Sequence, residues 1–380
     1  MKIYLVGGAV RDRLLDLPVR DRDWVVVGAT EQEMLDLGFR RADAEFPVFL
    51  HPETGEEYAL ARREVKTGPG YKGFAVDAGP DVTLEEDLVR RDLTINALAE
   101  DGEGRVIDLF DGREDLDQGL LRHISPAFVE DPVRLLRIAR FAARLGRWGF
   151  RVAHGTHRLL QRMAASDELA ALRPERLWLE MKWSLAEDQP WRFFQVLQRC
   201  GALERLIPEL AGVMDDVAGH GGRDDGTVLA ALERVAAATT APEARFAVAF
   251  HDAALEAGDP AALLHRLRAE RDYSELLLRL LALGPCCRAA AAGDARALLE
   301  LLERGRARQQ PRGFSLLIEA CMALHPRSAG PLREAVERAQ RVLEEVTPAL
   351  LQREGLTGRA LGEALRQRRL ERLQSWPDSV

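Results

Sequence analysis

Asp21 and Asp23 stand two residues apart at the head of an apolar run, Trp24-Val25-Val26-Val27. Side chains alternate faces along a strand, so the two carboxylates are expected to share a face while Arg22 takes the other. Upstream, a strand-like run from Lys2 to Val6 meets Gly7-Gly8 and then a helical segment from Ala9 to Leu17. A glycine pair where a strand feeds a helix lets backbone N–H groups approach a phosphate closely. Taken alone, such a pair reads as a tight turn, and its spacing to the two acids is what adds meaning. Paired carboxylates beside a phosphate-sized cradle make a hard-oxygen site suited to Mg²⁺. In two-metal chemistry such a pair holds one ion on an attacking hydroxyl and one on a departing pyrophosphate.

A second cluster lies between Glu130 and Arg144, in EDPVRLLRIARFAAR. Arg134, Arg137, Arg140 and Arg144 are three, three and four apart, so a helix gathers them on one face with Asp131 beside them. Between Arg122 and Arg151 there are seven arginines and two acids, a local cationic excess in a chain whose net charge is −8. Leu, Ile, Ala and Phe fill the intervening positions and predict a buried opposite side. Arg90-Arg91-Asp92 precedes the apolar segment LTINALA, read as a short helix. On residue type alone, Arg91 and Asp92 form a helix-cap ion pair as readily as anything else. Asn96 serves a ribose or satisfies the backbone. Lys66 to Phe74, KTGPGYKGF, has the composition of a mobile loop.

These residues need elements to hold them. The 380 residues, 47% hydrophobic and 30% charged, suit two or three globular domains and exclude disorder and collagen-like repeats. No run of about 18 uncharged apolar residues is present, which excludes a spanning helix by sequence. The N-terminal MKIYLVGGAVRD lacks a signal-peptide core, so the expected compartment is the cytoplasm. Cys200, Cys286, Cys287 and Cys321 form no disulfide framework or zinc spacing and read as buried thiols. The first 120 or so residues carry β-type runs broken by glycine turns. From Pro126 onward, Leu, Ala and Arg recur at helical spacing, with prolines between segments. The expected fold class is α+β: an amino-terminal mixed sheet, then an all-helical array, with a loop at Gly219–Gly226.

GGAVRD followed by DRDWVV resembles the signature of the nucleotidyltransferase superfamily, in the branch that holds bacterial CCA-adding enzymes and poly(A) polymerases. ARREVKTGPGYKGF, RRDLTINALA, DLFDGREDL and EDPVRLLRIARFAAR resemble the later motifs of that branch. Together they cover roughly the first 150 residues in the family's order, nearest to the bacterial CCA-adding (tRNA nucleotidyltransferase) family.

The resemblance implies a palm-like catalytic head (1–125), a helical neck bearing the base-reading helix (126–200), a helical body (201–330) and a helical tail (331–380). It makes Asp21 and Asp23 catalytic metal ligands for Mg²⁺. Gly8, Arg11, Arg91, Arg137 and Arg140 would hold the triphosphate, a task suited to guanidinium. Asp131 and Arg134 would read the incoming base. A carboxylate accepts from the exocyclic amine that cytosine and adenine share, whereas uracil and guanine offer a carbonyl there. The Lys66–Phe74 loop would help the switch from C to A addition.

The implied reaction is template-independent addition of C, C and A to tRNA 3′ ends, in which the terminal hydroxyl attacks the α-phosphorus of CTP or ATP. The implied partners are CTP, ATP and tRNA, held at its acceptor end and at its elbow by the helical half. A poly(A) polymerase of the same family, using ATP alone, and a non-catalytic RNA-binding protein are the alternatives. Compact length and the lack of a long basic extension weigh against the former. Arg366, Arg368, Arg369 and Arg372 could meet tRNA backbone or belong to a solvated amphipathic helix. Some relatives carry a metal-dependent phosphohydrolase domain marked by HDLGK. Here His251-Asp252 is followed by Ala-Ala, with His220 as an upstream ligand candidate and no clear downstream set, so that activity is expected to be lost.

Overall fold

The computed structural model describes residues 1–43, 46–68, 74–215 and 227–375. The chain divides into two compact units, Met1–Leu206 and Ile207–Val380.

The first unit has eleven strands among its described residues: β1 (Lys2–Val6), β2 (Asp23–Val27), β3 (Arg40–Arg41), β4 (Val48–Leu50), β5 (Glu57–Leu60), β6 (Arg63–Lys66), β7 (Phe74–Asp77), β8 (Leu98–Glu100), β9 (Val106–Asp108), β10 (Leu120–Leu121) and β11 (Arg151–Val152). Seven of them form a mixed sheet in the order β3-β4-β5-β2-β1-β8-β9. β1 and β2 are antiparallel with Val6 opposite Asp23, and β2 and β5 are parallel with Asp23 beside Glu57. Successive residues of β2 serve opposite faces. Val25 joins a core with Val6, Leu88, Ala97 and Ala99, and Val26 joins another with Met34, Phe49 and Leu60. Burial on both sides explains why the run after Asp23 is continuously apolar.

The α-helices of this unit are α1 (Gly8–Leu14), α2 (Glu31–Asp36), α3 (Leu84–Val89), α4 (Gly112–Asp117), α5 (Val133–Leu145), α6 (His154–Ala165), α7 (Pro174–Ala186), α8 (Trp191–Arg199) and α9 (Ala202–Leu206). α2 and α3 begin in capping boxes, Thr30 with Glu33 and Thr83 with Glu86, which satisfy the first free backbone donors. α5 buries Leu135, Leu136, Ile138, Ala139 and Ala142 against α7 and α8 and leaves its arginines on the other side.

Three local expectations change. Asp21 precedes β2 in irregular chain, because the strand begins at Asp23. LTINALA makes one 3₁₀ turn, Thr94–Asn96, and then β8, since Leu98 and Ala99 are buried in the sheet and pair with β9. α1 stops at Leu14 rather than Leu17. The segment Lys66–Phe74 joins the antiparallel pair β6–β7, and its residues 69–73 lie outside the described residues.

The second unit has helices and no strand among its described residues, as expected, but the all-helical stretch expected from Pro126 onward is interrupted in the first unit by β11, which pairs in parallel with β10. Its longest helix, Arg271–Ala291, packs on Pro242–Glu256, where Phe246 and Phe250 stack at 4.5 Å and Tyr273 meets Phe246 edge-on. Cys287 and Cys321 are buried thiols in this core, and Cys286 is half-buried. The expected loop at Gly219–Gly226 and the candidate ligand His220 lie outside the described residues. Among the described residues no helix is long and apolar enough to cross a membrane.

Candidate active site

A cavity of about 610 Å³ opens in the first unit. It is lined by Gly8, Arg11, Asp23, Arg91, Asp131, Arg134, Arg137 and Arg140, eight of the nine residues singled out by sequence. The ninth, Asp21, lines an adjoining cavity of about 370 Å³ that shares Gly8, Arg11, Asp23 and Arg140 with the first. Residues 8 to 140 of the sequence thus converge on one cleft, although Asp21 reaches it from a loop and not from a strand face.

The glycine turn works through Gly7. Its φ is +71°, a left-handed conformation that glycine adopts without strain, and its N–H bonds to the Leu98 carbonyl at 3.0 Å. A Cβ at Gly7 would lie 3.2 Å from Arg91 Nη1, so the absent side chain also makes room for that guanidinium.

Each arginine is fixed by an acid or a carbonyl. Arg11, 2% exposed, donates to Asp12 at 2.6 and 2.8 Å and to Asn96 Oδ1 at 2.5 Å. Burial lowers its pKa, with Asp12 opposing the shift. Asp12 also accepts from Arg144 at 2.7 Å. Arg137 donates to Asp92 at 2.7 Å, and Asp92 accepts further from Asn96 at 3.0 Å and the Leu93 N–H at 2.8 Å. Burial works against the Asp92 charge, but Arg137 and these hydrogen bonds outweigh it and hold the carboxyl well below the usual range. Arg91 donates to Asp87 at 3.1 and 3.3 Å, so the cap pairing with Asp92 does not form. Arg134 donates to the Arg90 carbonyl at 2.5 Å, and Arg140 to Glu180 at 2.7 Å. These partners hold the guanidiniums in place, and arginines still outnumber acids in the lining of the larger cavity.

The two candidate metal ligands are different. The Asp21 and Asp23 carboxylates accept no hydrogen bond and form no ion pair among the described residues, in a cleft crowded with arginine. Desolvation raises the Asp23 pKa and the Asp21 charge adds to it, while Arg91 opposes. Two uncommitted carboxylates, one of them with its pKa raised, form a donor set that a hard divalent cation would relieve. Asp131 is half-buried. Desolvation raises its pKa despite the Val133 N–H, 3.0 Å from Oδ1, and despite Arg134 and Arg137.

Several cleft residues were missed. Asp12 and Asp92 sit inside recognised motifs, and their acidity was the available signal. Asp87 lies four residues before Arg91, the reach of one helical turn. Glu57, the register partner of Asp23 on β5, and Glu180 and Trp183 on α7 line the larger cavity with no local motif to mark them.

Elsewhere, His251 pairs with its neighbour Asp252 at 2.7 Å, and no group of three or more His, Cys, Asp or Glu is placed to hold a metal among the described residues. In the second unit, Arg366, Arg368 and Arg372 pair with Glu303, Glu354 and Glu345, and Arg369 is buried against the Val346 carbonyl.

The family described as "Poly A polymerase head domain" matches residues 3–122, and "Probable RNA and SrmB- binding site of polymerase A" matches residues 149–214. The sheet and the paired acids thus fall within a nucleotidyltransferase head. A CCA-adding enzyme of Pseudomonas putida (strain W619) is 48% identical over 385 residues, covering 99% of this chain and 98% of that protein. A multifunctional CCA protein of Thioalkalivibrio sulfidiphilus (strain HL-EbGR7) is 46% identical over 402 residues, covering 98% of each. The chain belongs to the family of bacterial CCA-adding enzymes. The Thermotoga maritima CCA-adding enzyme complexed with tRNA shares the fold at a TM-score of 0.69 and 20% identity, covering 100% of this chain and 88% of that one. The Bacillus stearothermophilus CCA-adding enzyme in complex with CTP does so at 0.62 and 24%, covering 96% and 87%.

Proposed function

We propose that this protein adds C, C and A to the 3′ ends of tRNA from CTP and ATP without a nucleic-acid template, releasing pyrophosphate, and works in the cytoplasm. The observation that carries this reading is the convergence of a carboxylate pair and five cleft arginines on two adjoining cavities that share Gly8, Arg11, Asp23 and Arg140. Asp21 and Asp23 would hold Mg²⁺, whose chemistry is to activate the acceptor hydroxyl and neutralise the departing pyrophosphate. Gly8, Arg11, Arg91, Arg137 and Arg140 hold the triphosphate, and their bracing by Asp12, Asp87, Asp92 and Glu180 supplies that charge preorganised. The acceptor 3′-oxygen forms a bond to the α-phosphorus as the bond to the β-phosphate oxygen breaks.

Asp131 and Arg134 read the base. The Asp131 carboxylate accepts from the amine of cytosine or adenine, and Arg134 donates to ring acceptors. Selection of C and A over U and G then resides in the protein. In this reading the head spans 1–125, the neck 126–200, the body 201–330 and the tail 331–380, and the body has lost the phosphohydrolase chemistry of some relatives.

The test is Asp21→Ala and Asp23→Ala, assayed for CMP incorporation into tRNA ending at its discriminator base. Incorporation is expected to be abolished with tRNA binding retained. Robust incorporation by either variant would remove the metal role from these acids.

A further inference from the structure

Arg140 stands over two rings, 4.8 Å from the Phe141 centroid and 5.6 Å from that of Trp183. Arg11 stands over Phe141 as well, at 5.1 Å. Cation and aromatic therefore alternate in the series Arg11, Phe141, Arg140, Trp183. The series runs from a guanidinium 2% exposed and a ring 4% exposed to an indole that is 43% exposed. Arg140 is held in it from the side by Glu180, one turn before Trp183 on α7. The same helix buries Leu177, Trp178 and Met181, so its apolar side is already satisfied without Trp183. A large ring left open in a charged cleft is suited to a flat ligand with a π-face.

Resting on the functional reading above, we propose that Trp183 is the platform on which the terminal nucleobase of the acceptor RNA stacks. The incoming base is read at Asp131 and Arg134, beside the first turn of α5. Arg140 lies six residues beyond Arg134, about 9 Å along the helix axis. Trp183 belongs to the Arg140 end, so it meets a different base. It borders both cavities, and in the smaller one, which Asp131 and Arg134 do not line, it stands with Asp21 and Asp23, where the acceptor hydroxyl must sit, and with Arg20 and Arg144, which suit a backbone phosphate. Stacking tolerates any base. That matches a site which must accept the discriminator nucleotide first and then the newly added C.

The experiment uses the full chain with two RNAs: tRNA ending at its discriminator nucleotide, and the same tRNA with that nucleotide abasic. Trp183→Ala is expected to raise the KM for intact tRNA roughly 5- to 150-fold, the range for removing a stacked aromatic. CTP affinity should stay within about twofold, and Trp183→Phe, which keeps a ring, should stay within about threefold of wild type. The abasic end should cost the wild type a similar factor and cost Trp183→Ala almost nothing more. Equal weakening of CTP binding in Trp183→Ala would overturn the proposal, because the indole would then only prop Arg140. So would losses that multiply between the variant and the abasic RNA, or a Phe variant as poor as Ala. A wild type that adds CMP to neither RNA would instead remove the functional reading on which the proposal rests.

Discussion

Asp131→Asn separates the charge of the base-reading acid from its structural duty. In the fold, Oδ1 of Asp131 accepts the Val133 N–H at 3.0 Å at the start of α5, and among the described residues no hydrogen bond occupies Oδ2. Asparagine keeps an oxygen for Val133 and places an NH₂ where Oδ2 stood. That donor opposes the amine of cytosine and matches the carbonyl of uracil. One base-edge contact of this kind is worth about 1–3 kcal/mol, so the preference for CTP over UTP should fall roughly 5- to 150-fold. Asp131→Ala should lose preference too, and in addition about 1 kcal/mol of stability with the lost backbone acceptor, roughly 2–4 °C in Tm for a unit of this size. The assay is single-turnover incorporation of CMP and UMP into tRNA ending at its discriminator base, with Tm measured in parallel. Protonation acts in the same sense as the amide. The raised Asp131 pKa means wild-type preference should begin to fall at a higher pH than an ordinary aspartate would give, while the Asn variant stays flat. An unchanged CTP-to-UTP ratio in Asp131→Asn would refute the reasoning, and so would an Ala variant that loses Tm alone.

Asp12→Ala leaves the buried Arg11 without its carboxylate. It should destabilise the first unit by about 3–5 kcal/mol, read as a Tm loss of roughly 6–20 °C by calorimetry. Gly7→Ala forces a side chain into a +71° backbone and against Arg91, and steady-state kinetics should show KM for CTP rising several-fold with a smaller change in kcat. Glu86, in the α3 capping box and paired with Arg63, has its pKa lowered to about 2 from an ordinary 4.5, first by the Arg63 hydrogen bond. Because the folded value lies below the unfolded one, its contribution is present above pH 4.5 and is lost as pH falls through 2. Tm in Glu86→Gln should accordingly decline less than wild type between pH 4.5 and 2.5.

The cleft was legible in the sequence because its parts carry local signatures: a glycine pair after a strand, two acids before an apolar run, and arginines at helical spacing. Their convergence followed from the resemblance and not from periodicity. What stayed hidden was set by tertiary contacts. LTINALA has the composition of a helix, yet Leu98 and Ala99 are drawn into the sheet between β1 and β9. Adjacency left a pair between Arg91 and Asp92 open, but α3 places Asp87 one turn back along the chain, and Asp92 turns to Arg137, 45 residues on. Glu180 and Trp183 carry no motif at all, and only the packing of α7 on α5 brings them to Arg140.

The central claim is tested most directly by sequencing the 3′ ends of tRNA lacking its terminal CCA after incubation with CTP, with ATP and with both, in Mg²⁺. The account predicts CC with CTP alone and CCA with both, ending after one A. Runs of A from ATP alone, or ends left unextended under all three conditions, would contradict it.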